Sequence, residues 1–226
     1  MSASRVISSA GVAGGSGERI LRYTLWERVV HWVAALTYIY NLLTGLAFWS
    51  PYMFWAAVIV GGGATARFWH PWIGLVFAVS VFCMHWMWRR DMATTEADRK
   101  WFRVMYLYVL NEDEKLPPVG RYNFGQKLLF WVMWYGSICL LLSGVVMWYS
   151  EAIPWSLRAL RYLAVAVHVA SAFATIAGFI IHVYMGTAMV RGGFTAIVNG
   201  EVSPRWAKMH HSLWYDEVVR GGPAKK

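Results

Sequence analysis

Residues 161–191 read RYLAVAVHVASAFATIAGFIIHVYMGTAMVR, with no charged side chain between the two terminal arginines. An uncharged apolar run of this length can cross a lipid bilayer as a slightly tilted helix. The run contains two histidines, His168 and His182. Fourteen helical residues return a side chain to within about 40° of its starting direction and advance it by about 21 Å. Both imidazoles are therefore predicted on one face of the helix, at two membrane depths.

The composition of the whole chain is that of an integral membrane protein. Of its 226 residues, 58% are hydrophobic and only 15% are charged, with a mean hydropathy of +0.40, a balance that few soluble domains reach. The net charge is +9, but the basic residues lie between apolar runs, so topology explains them and nucleic-acid binding is not indicated. Cys83 and Cys139 lie inside apolar runs, and the sequence has no CxxCH motif and no CxxC cluster. This cysteine pattern argues against a covalent c-type haem, an iron–sulfur cluster or a zinc site in this chain.

Three further apolar segments complete a predicted set of four transmembrane helices. The spans are predicted at about 25–49, 69–90, 127–150 and 161–190. Pro71 is expected in the first turn of the second helix, which would place His70 at the start of that helix.

The rest of the chain is predicted to form tails and connections. Residues 1–20 are predicted to be a flexible amino tail, 21–191 the four-helix transmembrane domain and 192–226 a cytoplasmic carboxyl tail. Residues 101–110 are predicted to form a short amphipathic helix on the membrane surface.

The distribution of lysine and arginine predicts the orientation of the spans. Residues 1–28, 89–127 and 191–226 carry eighteen of the 21 basic residues, whereas residues 50–69 and 150–161 carry three. Because basic loops remain on the cytoplasmic side of a membrane, both termini are predicted to be cytoplasmic. The predicted fold class is all-α, an integral membrane four-helix bundle.

Four histidines pair by depth in this topology. His70, near the outer end of the second helix, pairs with His168, and His31, near the cytoplasmic start of the first helix, pairs with His182. Each pair comes from two helices and can hold one haem iron from both faces of the porphyrin. Such an iron has no open coordination position and acts as an electron relay. Zinc is disfavoured because it requires three or four ligands at one depth.

Simpler interpretations of these histidines stay open. A single histidine in a membrane helix is often a hydrogen-bonding group or part of a proton path. A transporter is disfavoured because no charged residue lies in the middle of a span. A membrane anchor without a redox role would leave the four histidines dispensable. His85 is predicted to be an interfacial or packing residue, with a role near a quinone as the alternative. His210 and His211 are predicted to make interface contacts in the carboxyl tail.

A faint internal repeat relates the ends of the first and third spans. LLTGLAFW ends the first span and LLSGVVMW ends the third, with Gly45 and Gly144 at the same position of the repeat. The residue fourteen positions before each glycine is His31 in one copy and Phe130 in the other, so the third span lacks the histidine. Two accounts of the glycines stay open, namely close helix packing through small residues and the approach of a flat cofactor to the backbone.

Five motifs cover most of the chain from about residue 20. They are ERVVHW (27–32), WHPWIG (69–74), VGRYNFGQK (119–127), IHVYM (181–185) and EVSPRWAKMHHSLWY (201–215). In these motifs and in their order, the chain resembles the gamma subunit of respiratory formate dehydrogenase, a di-haem cytochrome b.

The resemblance implies two b haems, ligated by the histidine pairs given above, in a multi-pass protein of the bacterial inner (cytoplasmic) membrane. It implies two partners, an iron–sulfur beta subunit and a catalytic alpha subunit that oxidises formate with molybdenum or tungsten, in a complex that can form a higher oligomer. Electrons would pass from the iron–sulfur subunit to the outer haem, the inner haem and the quinone pool. This chain would be the electron-transfer and quinone-reducing subunit of an oxidoreductase complex. The alternative is the cytochrome b subunit of a membrane-bound nickel–iron hydrogenase, but the YNxGQK motif favours formate dehydrogenase.

The resemblance also implies a menaquinone or ubiquinone site beside the inner haem. The implied residues are Asn123 and Gly125, close to His182, and Gln126 is a further candidate. Asn123 and Gln126 also have the spacing of a helix N-cap and its reciprocating partner. Both roles are compatible because the free N–H groups of a helix amino terminus can hold a quinone carbonyl.

Overall fold

The computed structural model describes residues 6–7, 19–110, 112 and 115–220, and this part of the chain is mostly helical. The α-helices are α1 (Leu25–Trp49), α2 (Trp55–Ile59), α3 (Gly63–Trp88), α4 (Glu96–Arg103), α5 (Met105–Val109), α6 (Phe124–Trp148), α7 (Arg158–Tyr184), α8 (Gly193–Asn199), α9 (Pro204–His210) and α10 (Ser212–Arg220). The strands β1 (Val6–Ile7), β2 (Arg19–Leu21) and β3 (Glu201–Val202) form a small antiparallel sheet in the order β1-β2-β3. The sheet is a departure from the all-α expectation.

Among the described residues, four helical segments are long and apolar enough to cross a membrane. They are α1, α3, α6 and the segment Trp155–Met189, which contains α7. The prediction of four spans in a mostly helical protein is therefore confirmed. Many large apolar side chains on these helices are exposed in the isolated chain, as expected for helices whose outer faces meet lipid rather than water.

The start of α3 differs from the sequence-based prediction. α3 begins at Gly63 rather than at residue 69, so Pro71 lies inside the helix and the position predicted for it in the first turn is wrong. The chain turns before the helix at Gly61 and Gly62, whose φ values of 96° and 93° favour glycine. His70 therefore lies about two turns inside α3 rather than at its start.

The starts of α6 and α7 each precede the predicted residue by three positions. Asn123 and Gln126 form the predicted capping box, in which Gln126 N–H donates to Asn123 Oδ1 (2.9 Å) and Asn123 N–H donates to Gln126 Oε1 (3.0 Å). This cap sets the start of α6 at Phe124. α7 begins at Arg158 and is followed by one π-helical turn at Met185–Met189.

The segments outside the spans have more structure than the sequence predicts. In place of one surface helix over 101–110, α4 and α5 are two short helices separated at Val104. The amino tail predicted for residues 1–20 lies largely outside the described residues, but its described part contributes β1 and the start of β2. The carboxyl tail contains α8, β3, α9 and α10.

The chain divides into two compact units, each assembled from separate segments. The span unit comprises Val29–Trp86 and Trp131–Ile180, and the terminal unit comprises Met1–Arg28, Met87–Phe130 and Ile181–Lys226. The terminal unit contains eighteen of the 21 lysine and arginine residues, and the span unit contains three. The three basic segments that were predicted to lie on one side of the membrane therefore belong to one compact unit.

Aromatic and small side chains pack the helices of the span unit. The ring centroid of Tyr38 on α1 lies 5.3 Å from that of Phe77 on α3 and 5.1 Å from that of Phe179 on α7. A second buried cluster joins α1, α2 and α3, where small side chains allow the helices to approach closely; its buried members are Ala47, Ala56, Ala57 and Ala66.

A buried ionic network connects the three segments of the terminal unit. Arg22 Nη2 donates to the backbone oxygen of Arg121 (3.0 Å) and lies 3.0 Å from His211 Nε2. The other ring nitrogen of His211 lies 2.9 Å from the backbone oxygen of Gly120. A carbonyl oxygen only accepts, so His211 donates from Nδ1 and accepts the Arg22 hydrogen bond at Nε2. This buried histidine is thereby held in its neutral form.

Two carboxylates balance the buried arginines of this network. Arg121 forms ion pairs with Glu27 Oε1 and Asp91 Oδ2, each at 2.9 Å. The Arg121 and Glu27 side chains are only 7% and 6% exposed, and a buried charge requires such a partner. Glu27, in the first turn of α1, is thus fixed to the segment that precedes α6.

Candidate metal centre

His70 and His168 are close together in the span unit. His70 lies on α3 and His168 on α7, and their ring centroids are 6.4 Å apart with the ring planes inclined by 55°. Two imidazoles that bind one metal ion from opposite sides through bonds of about 2.0 Å have ring centroids roughly 6 Å apart. The two rings therefore have the separation needed to share one metal ion.

Each of these imidazoles has a hydroxyl group at Nδ1. Thr44 Oγ1 on α1 lies 2.7 Å from His70 Nδ1, and Ser143 Oγ on α6 lies 3.0 Å from His168 Nδ1. Both hydroxyl-bearing residues are buried, at 0% and 5% exposure. Nδ1 of each ring is thus engaged by a helix side chain, and Nε2 is the nitrogen that can bind a metal.

The two repeat glycines lie beside the same two rings. A Cβ atom added to Gly45 would lie 3.7 Å from Cε1 of His70, and one added to Gly144 would lie 3.3 Å from Cε1 of His168. Carbon atoms in contact are normally about 3.5–4.0 Å apart. Gly144 therefore gives the His168 ring room that a Cβ would restrict, whereas a Cβ at Gly45 would be in ordinary contact with the His70 ring.

The donor set fits a haem iron better than a zinc ion. Within the described residues, no group of three or more His, Cys, Asp or Glu side chains is arranged to hold a metal ion, and zinc in proteins takes three or four such ligands. Two imidazoles suffice for a haem iron, because the porphyrin supplies the other four nitrogens. The surroundings are apolar and aromatic, with the Phe48 ring 5.4 Å from that of His70, which also suits haem.

The predicted inner pair, His31 and His182, is divided between the two units. His31 is half-buried on α1 in the span unit, and its ring meets Trp32 edge-on at 5.6 Å. His182 is exposed on α7 in the terminal unit, one turn before the π-helical segment Met185–Met189. Such π-helical turns are frequent at functional sites. The pairing of these two histidines stays a prediction.

The predicted quinone residues lie at the amino end of α6 in the terminal unit. Asn123 is buried, Gln126 is half-buried and Gly125 is exposed. The side-chain amide oxygens of Asn123 and Gln126 each accept from the backbone N–H of the other residue, so their predicted role as a capping box is confirmed. Their role toward a quinone stays a prediction.

His85 and His211 have packing and network roles. His85 stacks on Trp134 with ring centroids 3.8 Å apart and planes 16° apart, as predicted for a packing residue. His211, which the sequence suggested for interface contacts, is instead buried in the network with Arg22. Sequence reasoning did not identify Thr44 and Ser143, although each immediately precedes a repeat glycine.

These features define a class: a multi-pass helical membrane protein with a paired-imidazole site suited to haem iron, that is, a membrane cytochrome b. The family model described as prokaryotic cytochrome b561 matches residues 22–199. The chain belongs to this family.

Several curated proteins are similar to this chain over most of its length. The cytochrome b556(fdo) subunit of formate dehydrogenase from Escherichia coli K12 is 36% identical over 202 residues, covering 89% of this chain and 94% of that protein. The formate dehydrogenase cytochrome b556 subunit of Haemophilus influenzae is 33% identical over 203 residues, covering 89% and 84%. The nitrate-inducible cytochrome b556(Fdn) subunit of E. coli K12 is 28% identical over 210 residues, covering 92% and 95%. The resemblance stated from the motifs is thereby confirmed.

Proposed function

We propose that this chain is the membrane cytochrome b subunit of a formate dehydrogenase, and that it passes electrons from an iron–sulfur partner subunit to quinone. The observation that carries the proposal is the His70–His168 pair, with ring centroids 6.4 Å apart and a hydroxyl group on each Nδ1. The names of the similar proteins support formate as the substrate of the whole complex. The same names favour formate dehydrogenase over the hydrogenase alternative.

The outer haem is held by His70 and His168, and the inner haem by His31 and His182. A haem held by two imidazoles supplies one-electron transfer with no open position for oxygen or substrate. The geometry of the first pair supports the outer site. The inner site is supported by the sequence, in which the fourteen-residue spacing of His168 and His182 puts both on one face of a helix at two depths.

The quinone site is proposed at the amino end of α6, with Asn123, Gly125, Gln126 and His182. Helix amino termini favour developing negative charge because their first N–H groups lack helical partners. The exposure of Gly125 supports access to this helix end. Menaquinone and ubiquinone both present the carbonyl oxygens that such a site would hold.

The terminal unit is proposed to lie at the cytoplasmic face of the bacterial inner membrane. Support comes from its eighteen lysine and arginine residues, because basic segments beside spans are retained in the cytoplasm. Quinone reduction at this face would draw its protons from the cytoplasm, whereas the outer haem faces the iron–sulfur beta subunit. Formate oxidation with molybdenum or tungsten lies on the alpha subunit, and the whole complex can form a higher oligomer.

The test is the haem content of the purified complex, measured per chain as the pyridine haemochrome. The wild-type complex should hold two b haems. His70→Ala and His168→Ala should each leave one, because either change removes one side of the outer site. His85→Ala is the matched control, since His85 lies on the same helix as His70 but stacks on Trp134. A wild-type complex without haem would refute the proposed function, and two haems in both ligand variants would refute the outer site.

A further inference from the structure

The hydroxyl groups of Thr44 and Ser143 have the same environment in the two halves of the outer site. Thr44 Oγ1 lies 2.9 Å from the backbone oxygen of Tyr40, and Ser143 Oγ lies 2.5 Å from that of Cys139. Each of these carbonyls is four residues earlier on the same helix. A carbonyl only accepts, so the single hydroxyl proton is directed to the helix backbone.

This use of the hydroxyl proton determines the protonation of each imidazole. With its proton donated to the backbone, each hydroxyl oxygen can only accept from the imidazole nitrogen beside it. Nδ1 of His70 and Nδ1 of His168 must then carry the hydrogen and donate it. The neutral imidazole has one such N–H, so Nε2 of each ring holds the lone pair that binds a metal.

Other hydroxyl groups of the span unit also donate to the helix backbone, but without a histidine as hydrogen-bond partner in the described part of the chain. Thr37 on α1 and Ser80 on α3 donate to carbonyls four residues earlier, at 2.7 Å and 2.8 Å. Neither makes a hydrogen bond with a histidine among the contacts of the described residues. Thr44 and Ser143 differ from them by lying against the two predicted outer ligands.

We propose that Thr44 and Ser143 are positioning residues that fix the Nδ1–H tautomers of His70 and His168, orient Nε2 toward the iron and lower the midpoint potential of the outer haem. The inference rests on the proposed function, because it requires that these two histidines bind the outer haem. A hydrogen bond from the second nitrogen of a metal-bound imidazole orients the ring and raises its basicity. A more basic ligand stabilises ferric iron relative to ferrous iron, which lowers the potential.

The test uses Thr44→Val and Ser143→Ala in the full complex, and the readout is the midpoint potential of each haem from a redox titration of the absorption spectrum. Each variant should raise the potential of the outer haem and leave the inner haem unchanged. Its affinity for the outer haem should fall by about 10- to 100-fold, the effect typical of such supporting hydrogen bonds. Thr37→Val and Ser80→Ala are the matched controls. Thr44→Ser and Ser143→Thr retain the hydroxyl and should restore the wild-type potential.

The outcomes separate this inference from the proposed function. If the wild-type complex holds two haems and both Thr44→Val and Ser143→Ala leave the outer potential unchanged, the positioning role is refuted and the function stands. If the variants raise the potential but Thr44→Ser or Ser143→Thr does not restore it, the hydroxyl hydrogen bond is not the cause and the positioning role is also refuted. If the wild-type complex holds no haem, the proposed function itself fails.

Discussion

Replacement of Glu27 tests whether the buried ionic network holds the terminal unit together. The Glu27 carboxylate accepts hydrogen bonds from Thr24 N–H (2.8 Å), Thr24 Oγ1 (3.0 Å), Trp88 Nε1 (2.7 Å) and Arg121 Nη2 (2.9 Å). The side chain is 6% exposed, so water cannot replace these partners. The network therefore joins the segment before α1, the end of α3 and the segment before α6 through one carboxylate.

The substitution Glu27→Gln keeps the shape of the side chain and removes its charge. It turns one acceptor oxygen into an amide nitrogen that faces donors, and it leaves Asp91 as the remaining ion-pair partner of Arg121. Breaking a buried ion pair by removing one partner costs about 3–5 kcal/mol. Since a free energy change of 1 kcal/mol shifts the melting temperature of a chain this size by about 2–4 °C, the expected loss is on the order of 10 °C.

The assay is thermal unfolding of the purified complex in lipid nanodiscs, followed by loss of the intact complex on size-exclusion chromatography. Glu96→Gln is the matched control, because the Glu96 side chain is 83% exposed and its contact with Lys100 is long, at 3.8 Å. Exposed pairs of this kind contribute little, so this variant should melt as the wild type does. If Glu27→Gln also melts within about 2 °C of the wild type, the network is not a major source of stability.

Three further predictions concern other parts of the structure. Gly144→Ala should reduce haem content per chain more than Gly45→Ala, because the added Cβ would lie 3.3 Å rather than 3.7 Å from the adjacent imidazole carbon; equal losses would contradict this. Burial and the Arg22 guanidinium hold the pKa of His211 well below its ordinary value. Below about pH 6.5, the His211 imidazole is therefore protonated in the unfolded chain but not in the folded chain. The free energy of unfolding should then fall by up to about 1.4 kcal/mol for each pH unit below that value. His211→Gln should flatten that slope in a melting series, and an unchanged slope would count against it. Asn123→Ala should cost about 1 kcal/mol through loss of the N-cap of α6, whereas Asn123→Asp should melt close to the wild type.

The membrane spans were predictable because their physical cause is local in the sequence. Long apolar runs and the placement of lysine and arginine are sufficient to predict four spans. Helix ends depend on finer signals. Asn123 and Gln126 gave a cap at the correct place, whereas Pro71 indicated a helix start about two turns too late. A proline inside a membrane helix is tolerated because neighbouring groups satisfy the freed carbonyl, so its first-turn preference is a weak guide there.

The terminal unit was not predictable from local patterns. Its central contacts join Arg22 with Arg121 and His211, which are 99 and 189 positions away in the sequence. Charged and polar side chains are usually exposed, and no periodic pattern marks these residues as buried. Their burial follows from the packing together of three separate segments, which only the tertiary structure reveals.

The internal repeat has a different meaning in the structure from the one that the histidine spacing suggested. The positions fourteen residues before Gly45 and Gly144 are 31 and 130, and only residue 31 is a histidine. In the structure, the feature that the two copies share is the hydroxyl–glycine dipeptide at 44–45 and 143–144. In each copy the hydroxyl lies against Nδ1 of a histidine from the following long helix, and the edge of that ring lies beside the glycine. The surroundings of His70 and His168 are thus built by the same local arrangement, once from α1 with α3 and once from α6 with α7. This equivalence agrees with one metal held between the two imidazoles, whereas a hydrogen-bonding or packing role for either histidine alone gives no reason for it.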